Sequence, residues 1–441
     1  MRSRMVFLTL LVGSVFLPSV RGADGEKPAT DDEKFLAQAK VATDGPGLIE
    51  FLRNRIASEE KLREIDKLVA QLGDDSFEVR DKATDKLREF GGLAAPALRR
   101  ALKSPDLEVV ARANNCLKKI NDVGSSEVLL ALCQVLSVKK PPQATEALLE
   151  YLPEVECRAV QDAIAETLTV VAVRDGKADP GLVKALEHRM PHVRAVAGEV
   201  LCVSGLTEHK AAVAKLLDDK EPSVRARVAF AFARAQDKAT LPILIDRLPD
   251  LTPVRVSQAQ EMLECLAGAK SPKLATGDRA AALKKFREDW QAWWKEHGEK
   301  VDLAPLKKVT DWKTGALVGG SGAWDNYTPE KAFLGEGWNS GGYAPQWISA
   351  DLGEVVRLSS IRLTVGQSPE GPTVHELWIS EEPIGGDRAG ARLVHTFRGN
   401  TKNADQLSFD FSSRTCARYV QILTTSSPSW VSWSEIKLRV R

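Results

Sequence analysis

Net charge is what this chain lacks most plainly. Its 61 lysines and arginines meet 60 aspartates and glutamates over 441 residues, so nothing draws the chain as a whole to nucleic acid. Cysteine is scarce, six in all and none in a C-x-x-C pair, which argues against a disulfide scaffold and a thiolate metal site. Cys116, Cys133, Cys157, Cys202 and Cys265 lie in apolar helical stretches and Cys416 stands alone; most read as small buried hydrophobes. Histidine is equally rare, also six. His188 and His192 are four apart but Pro191 lies between them, so they read as loop side chains rather than metal ligands. No Walker loop, HExxH or GxGxxG occurs, and "VGGSGA" (318–323) ends on alanine where a G-x-S-x-G elbow needs glycine. Acid pairs such as Asp74-Asp75 and Asp218-Asp219 fall between helices and read as solvated caps. The expectation is a protein that is not an enzyme.

Long apolar runs are missing too. The longest candidate, "MVFLTLLVGSVFL" (5–17), comes after Arg2 and Arg4 and precedes small residues at Val20 and Gly22. It falls short of the roughly 20 residues a spanning helix needs, and its three-part order predicts a signal peptide at 1–22, cut before Ala23. An uncleaved anchor is the alternative. Export to the periplasm or beyond is expected, with no transmembrane span. At 43% hydrophobic, the chain has enough apolar material for real cores.

Two styles of sequence make up the rest. All ten tryptophans lie at position 290 or later. Before them, Val-Arg recurs at Val79-Arg80, Val193-Arg194, Val224-Arg225 and Val254-Arg255, with Val109 and Val155 in weaker copies. The intervals 79–109, 193–224 and 224–254 are 30, 31 and 30 residues, the period of a stacked helical solenoid. Four residues after the first five valines come Ala83, Ala113, Ala159, Ala197 and Val228; eight after all six come Leu87, Leu117, Ala163, Leu201, Phe232 and Met262. That spacing predicts a buried helical stripe. "DDSFEVRDKATDKLREFG", "SPDLEVVARANNCLKKI" and "DKEPSVRARVAFAFARAQD" resemble HEAT repeats of the short bacterial class, over about 58–268, with 150–190 departing from the pattern. The resemblance implies that Arg80, Arg194, Arg225 and Arg255 form a structural ladder between repeats; a ligand groove is the competing reading. It also implies a protein partner for the array. The stretch 23–57 reads as a polar, helical segment. "RAAALKKFREDWQAWWKEH" (279–297) reads as an amphipathic helix, a cap over the array's apolar end rather than a membrane-surface helix. A linker runs on to 311, so cap and linker together span 269–311.

From Trp312 the apolar period changes from 3.6 to 2. "WISADL" (347–352), "LSSIRLTV" (358–365), "VHELWIS" (374–380), "RLVHTF" (392–397), "LSFDF" (407–411), "RYVQILT" (418–424) and "WSEIKLRV" (433–440) alternate as strands between turn residues, which predicts an antiparallel sandwich. "PEKAFLGEGWNSG" (329–341), "PQWISADLGEVVRLSSIRL" (345–363) and "ARYVQILTTSSPSWVSWSEIKL" (417–438) resemble the discoidin, or coagulation factor 5/8 type C, domain. The fold class is therefore multidomain α + β: a helical HEAT-like solenoid followed by a jelly-roll sandwich at 312–441.

That resemblance implies a ligand, often a sugar, in loops at one end of the sandwich. It also implies a possible structural calcium ion nearby. Here the calcium segment has Leu334 after the Ala332-Phe333 pair and Gly337 before Trp338, where the family has oxygen ligands; Glu435 does match the acidic position of the C-terminal segment. No cofactor is otherwise expected. Trp338 and Trp347 stand at core positions of the motif. Trp324, Tyr327, Asn339, Tyr343 and Trp430 fall in Gly-, Ser-, Asn- and Pro-rich loops, where an aromatic face suits a sugar's apolar C–H face and amides suit its hydroxyls. Trp433 joins them as a candidate, although it alternates with its strand. Plain loop packing is the alternative for each. The expected function is an exported, non-enzymatic binding and scaffold protein. The alternative is an accessory or catalytic component of a carbohydrate-processing or lyase system.

Overall fold

A computed structural model of the chain describes residues 30–56, 58–120, 126–275, 278–308, 312–313, 316–388 and 390–441. The expected signal peptide lies outside them. Helices occupy the first two thirds. Several start on local signals: Thr30 Oγ1 accepts the Glu33 N–H while Glu33 accepts the Thr30 N–H, a capping box. Pro180, Pro191, Pro222 and Pro253 each open a helix, where a missing N–H costs nothing.

The repeat period is realised in the packing. Each apolar residue expected four or eight places after the repeat valine is buried, from Ala83 and Leu87 to Phe232 and Met262. The array has two cores rather than one. Residues 59–120 close around Ile65, Leu72, Leu87 and Leu98. The remainder shares a second, larger core, which also takes in Leu36, Leu48 and Leu52 from the helices Asp31–Gln38 and Gly45–Arg53. The departure near 150–190 has a visible cause: a short hairpin, β1 (Val173–Arg174) and β2 (Lys177–Ala178), lies between two helices.

The helix Arg279–His297 covers the array's end, burying Leu283, Phe286 and Trp290 in the larger core. The segment beyond this helix is no free linker. Leu303 and Leu306 are buried in that core, and Gln236 Nε2 donates to Leu303 O at 2.8 Å.

The remaining strands are β3 (Trp312–Lys313), β4 (Leu317–Gly320), β5 (Trp338–Asn339), β6 (Gln346–Val365), β7 (Gly371–Ser380), β8 (Arg392–Thr401), β9 (Gln406–Asp410), β10 (Cys416–Ser426) and β11 (Ser432–Val440). The two expected strands at 347–352 and 358–365 are one, β6, and it serves both faces of the sandwich. Its first half pairs with β4 and β10, and β10 continues to β7 and β8. Its second half pairs with β9 and β11, and β11 also carries β3 and β5. Ile348, Leu363, Leu377, Ile422 and Ile436 fill the space between.

The sandwich is docked on the array, not displayed at its tip. Val254 of the array joins the sandwich core, while Cys416 of β10 joins the array's. Gly353 approaches so closely that a Cβ there would lie 2.6 Å from Pro253 Cδ. Ion pairs cross the boundary from Arg414 to Asp32 at 2.6 Å, Arg392 to Glu127 at 2.6 Å and Arg255 to Glu354 at 2.5 Å. Arg357 adds a two-pronged pair with Glu166.

Candidate functional site

The loops that join the strands at one end of the sandwich gather three of the expected aromatics. Trp324 and Tyr327 stack with centroids 5.8 Å apart and planes 9° from parallel. Trp430 meets Trp324 edge-on at 6.3 Å and 64°. All three stay open to solvent, at 49%, 44% and 39% exposure. Large apolar rings left at the surface together are unusual enough to mark a contact site.

Backbone bonds hold this cluster in place. Trp324 N–H donates to Asn339 O at 2.8 Å, and Asn339 N–H donates to Tyr327 O at 3.2 Å. Ser340 N–H donates to Val431 O, and Val431 N–H to Gly342 O, both at 2.9 Å. The loop bearing Trp430 is thereby laced to the loop bearing Tyr343. Gly341 sits at φ +72°, and a Cβ there would come within 3.4 Å of Trp324 Cβ, so glycine permits both the turn and the close approach. Rings fixed in this way lose little entropy when a ligand arrives.

Tyr343 is 63% exposed in the same loop system; its carbonyl accepts Gln346 Nε2 at 3.0 Å. Asn339 is half-buried, with Oδ1 taking the Gly341 N–H at 2.9 Å. The loops 321–328, 339–346 and 427–431 carry a single charged residue, Asp325. Such a surface suits a ligand that is neutral and has both apolar and hydroxyl faces.

Trp433 is corrected. It is 1% exposed, packed against His375 at 4.7 Å, and belongs to the core. The alternation from Val440 back through Leu438 and Ile436 would turn it outward, but the register slips by one between Trp433 and Glu435. That bulge rotates the indole inward. Trp338 is fully buried, its Nε1 donating to Gly322 O at 2.8 Å, whereas Trp347 is only partly buried.

The arginines divide three to one. Arg80, Arg194 and Arg225 each aim Nη1 at the carbonyls six and five residues earlier: Asp74 and Asp75, His188 and Arg189, Asp219 and Lys220. Arg80 also reaches Glu108 at 3.5 Å, and Arg194 clasps Asp219 at 2.7 and 2.8 Å, both in the next repeat. Arg255 is the exception. It bridges Asp162 of the array and Glu354 of the sandwich, so it is an interdomain residue and not a rung. His188 and His192 do not converge on a metal either: His188 Nδ1 takes the Met190 N–H, and His192 Nε2 meets Leu152 O at 3.0 Å.

A family model for the F5/8 type C domain matches residues 316–436, and one for HEAT repeats matches 65–137 and 178–264. The chain carries HEAT repeats and an F5/8 type C domain. The β1–β2 hairpin falls at the end of the gap between the two repeat matches. Among solved structures, the family 32 CBM from C. perfringens NanJ, in complex with galactose, is 18% identical over 28% of this chain and 92% of that one, with a TM-score of 0.24. Chitosan-binding module 2 from a Paenibacillus sp. IK-5 chitosanase/glucanase, in complex with chitotriose, is 21% identical over 28% of this chain and 95% of that one, also at 0.24. No curated protein matches the chain.

Within the F5/8 type C domain, the calcium position implied by the family fits poorly. Calcium takes six to eight oxygens. Glu435 is already paired with Lys437 at 2.7 Å, Leu334 and Gly337 bring no side-chain oxygen, and among the described residues no three His, Cys, Asp or Glu side chains converge as metal ligands. Sequence reasoning missed the charged cluster between domain and array, which includes Arg158, Asp162, Arg227, Glu354 and Arg357. Its contacts join residues as many as 191 positions apart, and no local spacing announces them.

Proposed function

We propose that the protein is an exported, non-enzymatic binding protein whose F5/8 type C domain takes a neutral glycan on the Trp324–Tyr327–Trp430 platform. The observation that supports this is the set of three exposed rings, 5.8 and 6.3 Å apart, on loops laced to each other by backbone bonds. A sugar's C–H face lies on an indole or phenol face, and hydroxyls find the Asn339 amide and the Tyr327 phenol nearby. The HEAT array is read as the scaffold. It holds the domain rigidly through the docked interface and offers its remaining surface to a protein partner. Among the described residues no helix is long and apolar enough to cross a membrane.

The test is a glycan array with the full chain, then calorimetry on the best neutral glycan; galactose and chitotriose are the first probes. Trp430→Ala and Trp324→Ala should each weaken binding by roughly 1–3 kcal/mol, the scale of one aromatic contact, with melting almost unchanged. Unaltered affinity in both variants would remove the platform from the reading.

A further inference from the structure

Between the array and the F5/8 type C domain lies a cavity of about 680 Å³, within the size range of small-ligand sites. Six arginines line it: Arg158, Arg227, Arg234, Arg255, Arg357 and Arg441. Three carboxylates line it with them, those of Asp162, Glu166 and Glu199. Asp162 is shared by three guanidinium groups, with Arg227 Nη2 at 2.8 Å, Arg158 Nε at 2.9 Å and Arg255 Nη2 at 3.0 Å.

Guanidinium groups thus outnumber the carboxylates in the lining, and Arg158 and Arg227 show how the acceptors are shared. Arg227 is only 2% exposed and is fully engaged, with Nη2 on Asp162 at 2.8 Å, Nε on Glu199 at 2.6 Å and Nη1 facing Gln161 Oε1 at 3.4 Å. Arg158 spends Nε on Asp162, and its two terminal nitrogens donate to no described residue. Burial and the neighbouring Arg227 and Arg255 both press on Arg158 to give up its charge. Arg158 and Arg227 also line a second cavity of about 430 Å³ on the other side of the cluster. An oxyanion with paired oxygens matches the planar fork of a guanidinium group.

We infer that this interdomain cavity binds the oxyanion group, carboxylate or sulfate, of a small acid or acidic saccharide, with Arg158 and Arg234 as the residues that hold it. The inference is independent of the aromatic platform, whose loops are nearly free of charge. Arg158 would take the anion inside, and Arg234, 52% exposed and bonded to Glu199 at 3.2 Å, would take it at the mouth.

The experiment uses the full chain at low salt, titrated calorimetrically with inorganic sulfate, with trigalacturonic acid and with glycerol as the neutral control. At least one acid should bind where the control does not, and Arg158→Gln should weaken it about tenfold or more, the scale of a lost charge-assisted bond. Sulfate binding would show that the oxyanion suffices; trigalacturonate binding alone would show that the saccharide is required too. Arg234→Gln, at the exposed mouth, provides the same reading should Arg158→Gln fold poorly. A saturating neutral glycan should not displace the acid. The inference is overturned if neither acid binds, if both variants bind like the parent chain, or if the neutral glycan competes, which would place the acid on the rings instead.

Discussion

Replacing Arg194 with methionine removes four hydrogen bonds at once while keeping most of the side chain's apolar length. Two go to Asp219, at 2.7 and 2.8 Å, and two to the carbonyls of His188 and Arg189, at 2.8 and 3.1 Å. The pair is well buried, with side-chain exposures of 10% and 8%, so water replaces little of what is lost. Breaking a buried pair by deleting one partner costs about 3–5 kcal/mol. The low end applies, about 3 kcal/mol, because Asp219 keeps the Glu221 N–H at 2.9 Å. Arg225→Met, which loses only two carbonyl contacts, should cost about half as much. Urea titration with helical circular dichroism as the readout measures both, and the double variant with Asp219→Asn measures the coupling. The pH dependence adds a second reading. Hydrogen bonding from Arg194 lowers the Asp219 pKa in the folded chain, so the stabilisation is present above the unfolded value of about 4. It is lost as pH falls below that and through the folded value, and Arg194→Met should lack this acid-sensitive component. A loss below about 1 kcal/mol, or simple additivity of the two single substitutions, would refute the ladder.

Burial pushes the His375 imidazole down to about 4, so the folded domain should lose up to about 3 kcal/mol as pH falls from about 6.5 toward 4, where only the unfolded chain takes up the proton; His375→Gln should flatten the melting curve in that window. Trp433→Ala should lower the domain's stability by about 3–5 kcal/mol, measured by thermal melting, since the indole is core. Cys265 is exposed whereas Cys133 is buried, its thiol pushed up to about 12, so mass spectrometry after brief maleimide treatment of the native chain should find Cys265 labelled and Cys133 untouched. Glu354→Gln removes the Arg255–Glu354 pair across the interface and leaves Arg255 paired with Asp162 within the array, and should make the domain easier to release from the array by limited proteolysis.

Helical spacing was enough to locate the array's inner stripe, because an amphipathic helix writes its buried face into its own sequence every three to four residues. The cap at 279–297 was legible for the same reason. The three loop aromatics stood out because strand alternation ends where they begin. Three of the four recurrent arginines bond to backbone five and six residues back, a local contact that repeats whenever the local sequence does.

Tertiary structure decided the rest. Period-2 alternation names two faces of β11, but a one-residue bulge exchanges them, and so Trp433 went inside. Arg255 shares the repeat position of Arg225, yet its partners lie 93 and 99 residues away, because the docked domain brings Glu354 to it. The arginine-lined cavity is completed by that docking, which adds Arg357, Ser359 and Arg441 to the array's side of it. Sequence by itself determined the elements, since each buries a face recorded in its own period; contacts between residues remote in the chain, recorded in no period, waited for the fold.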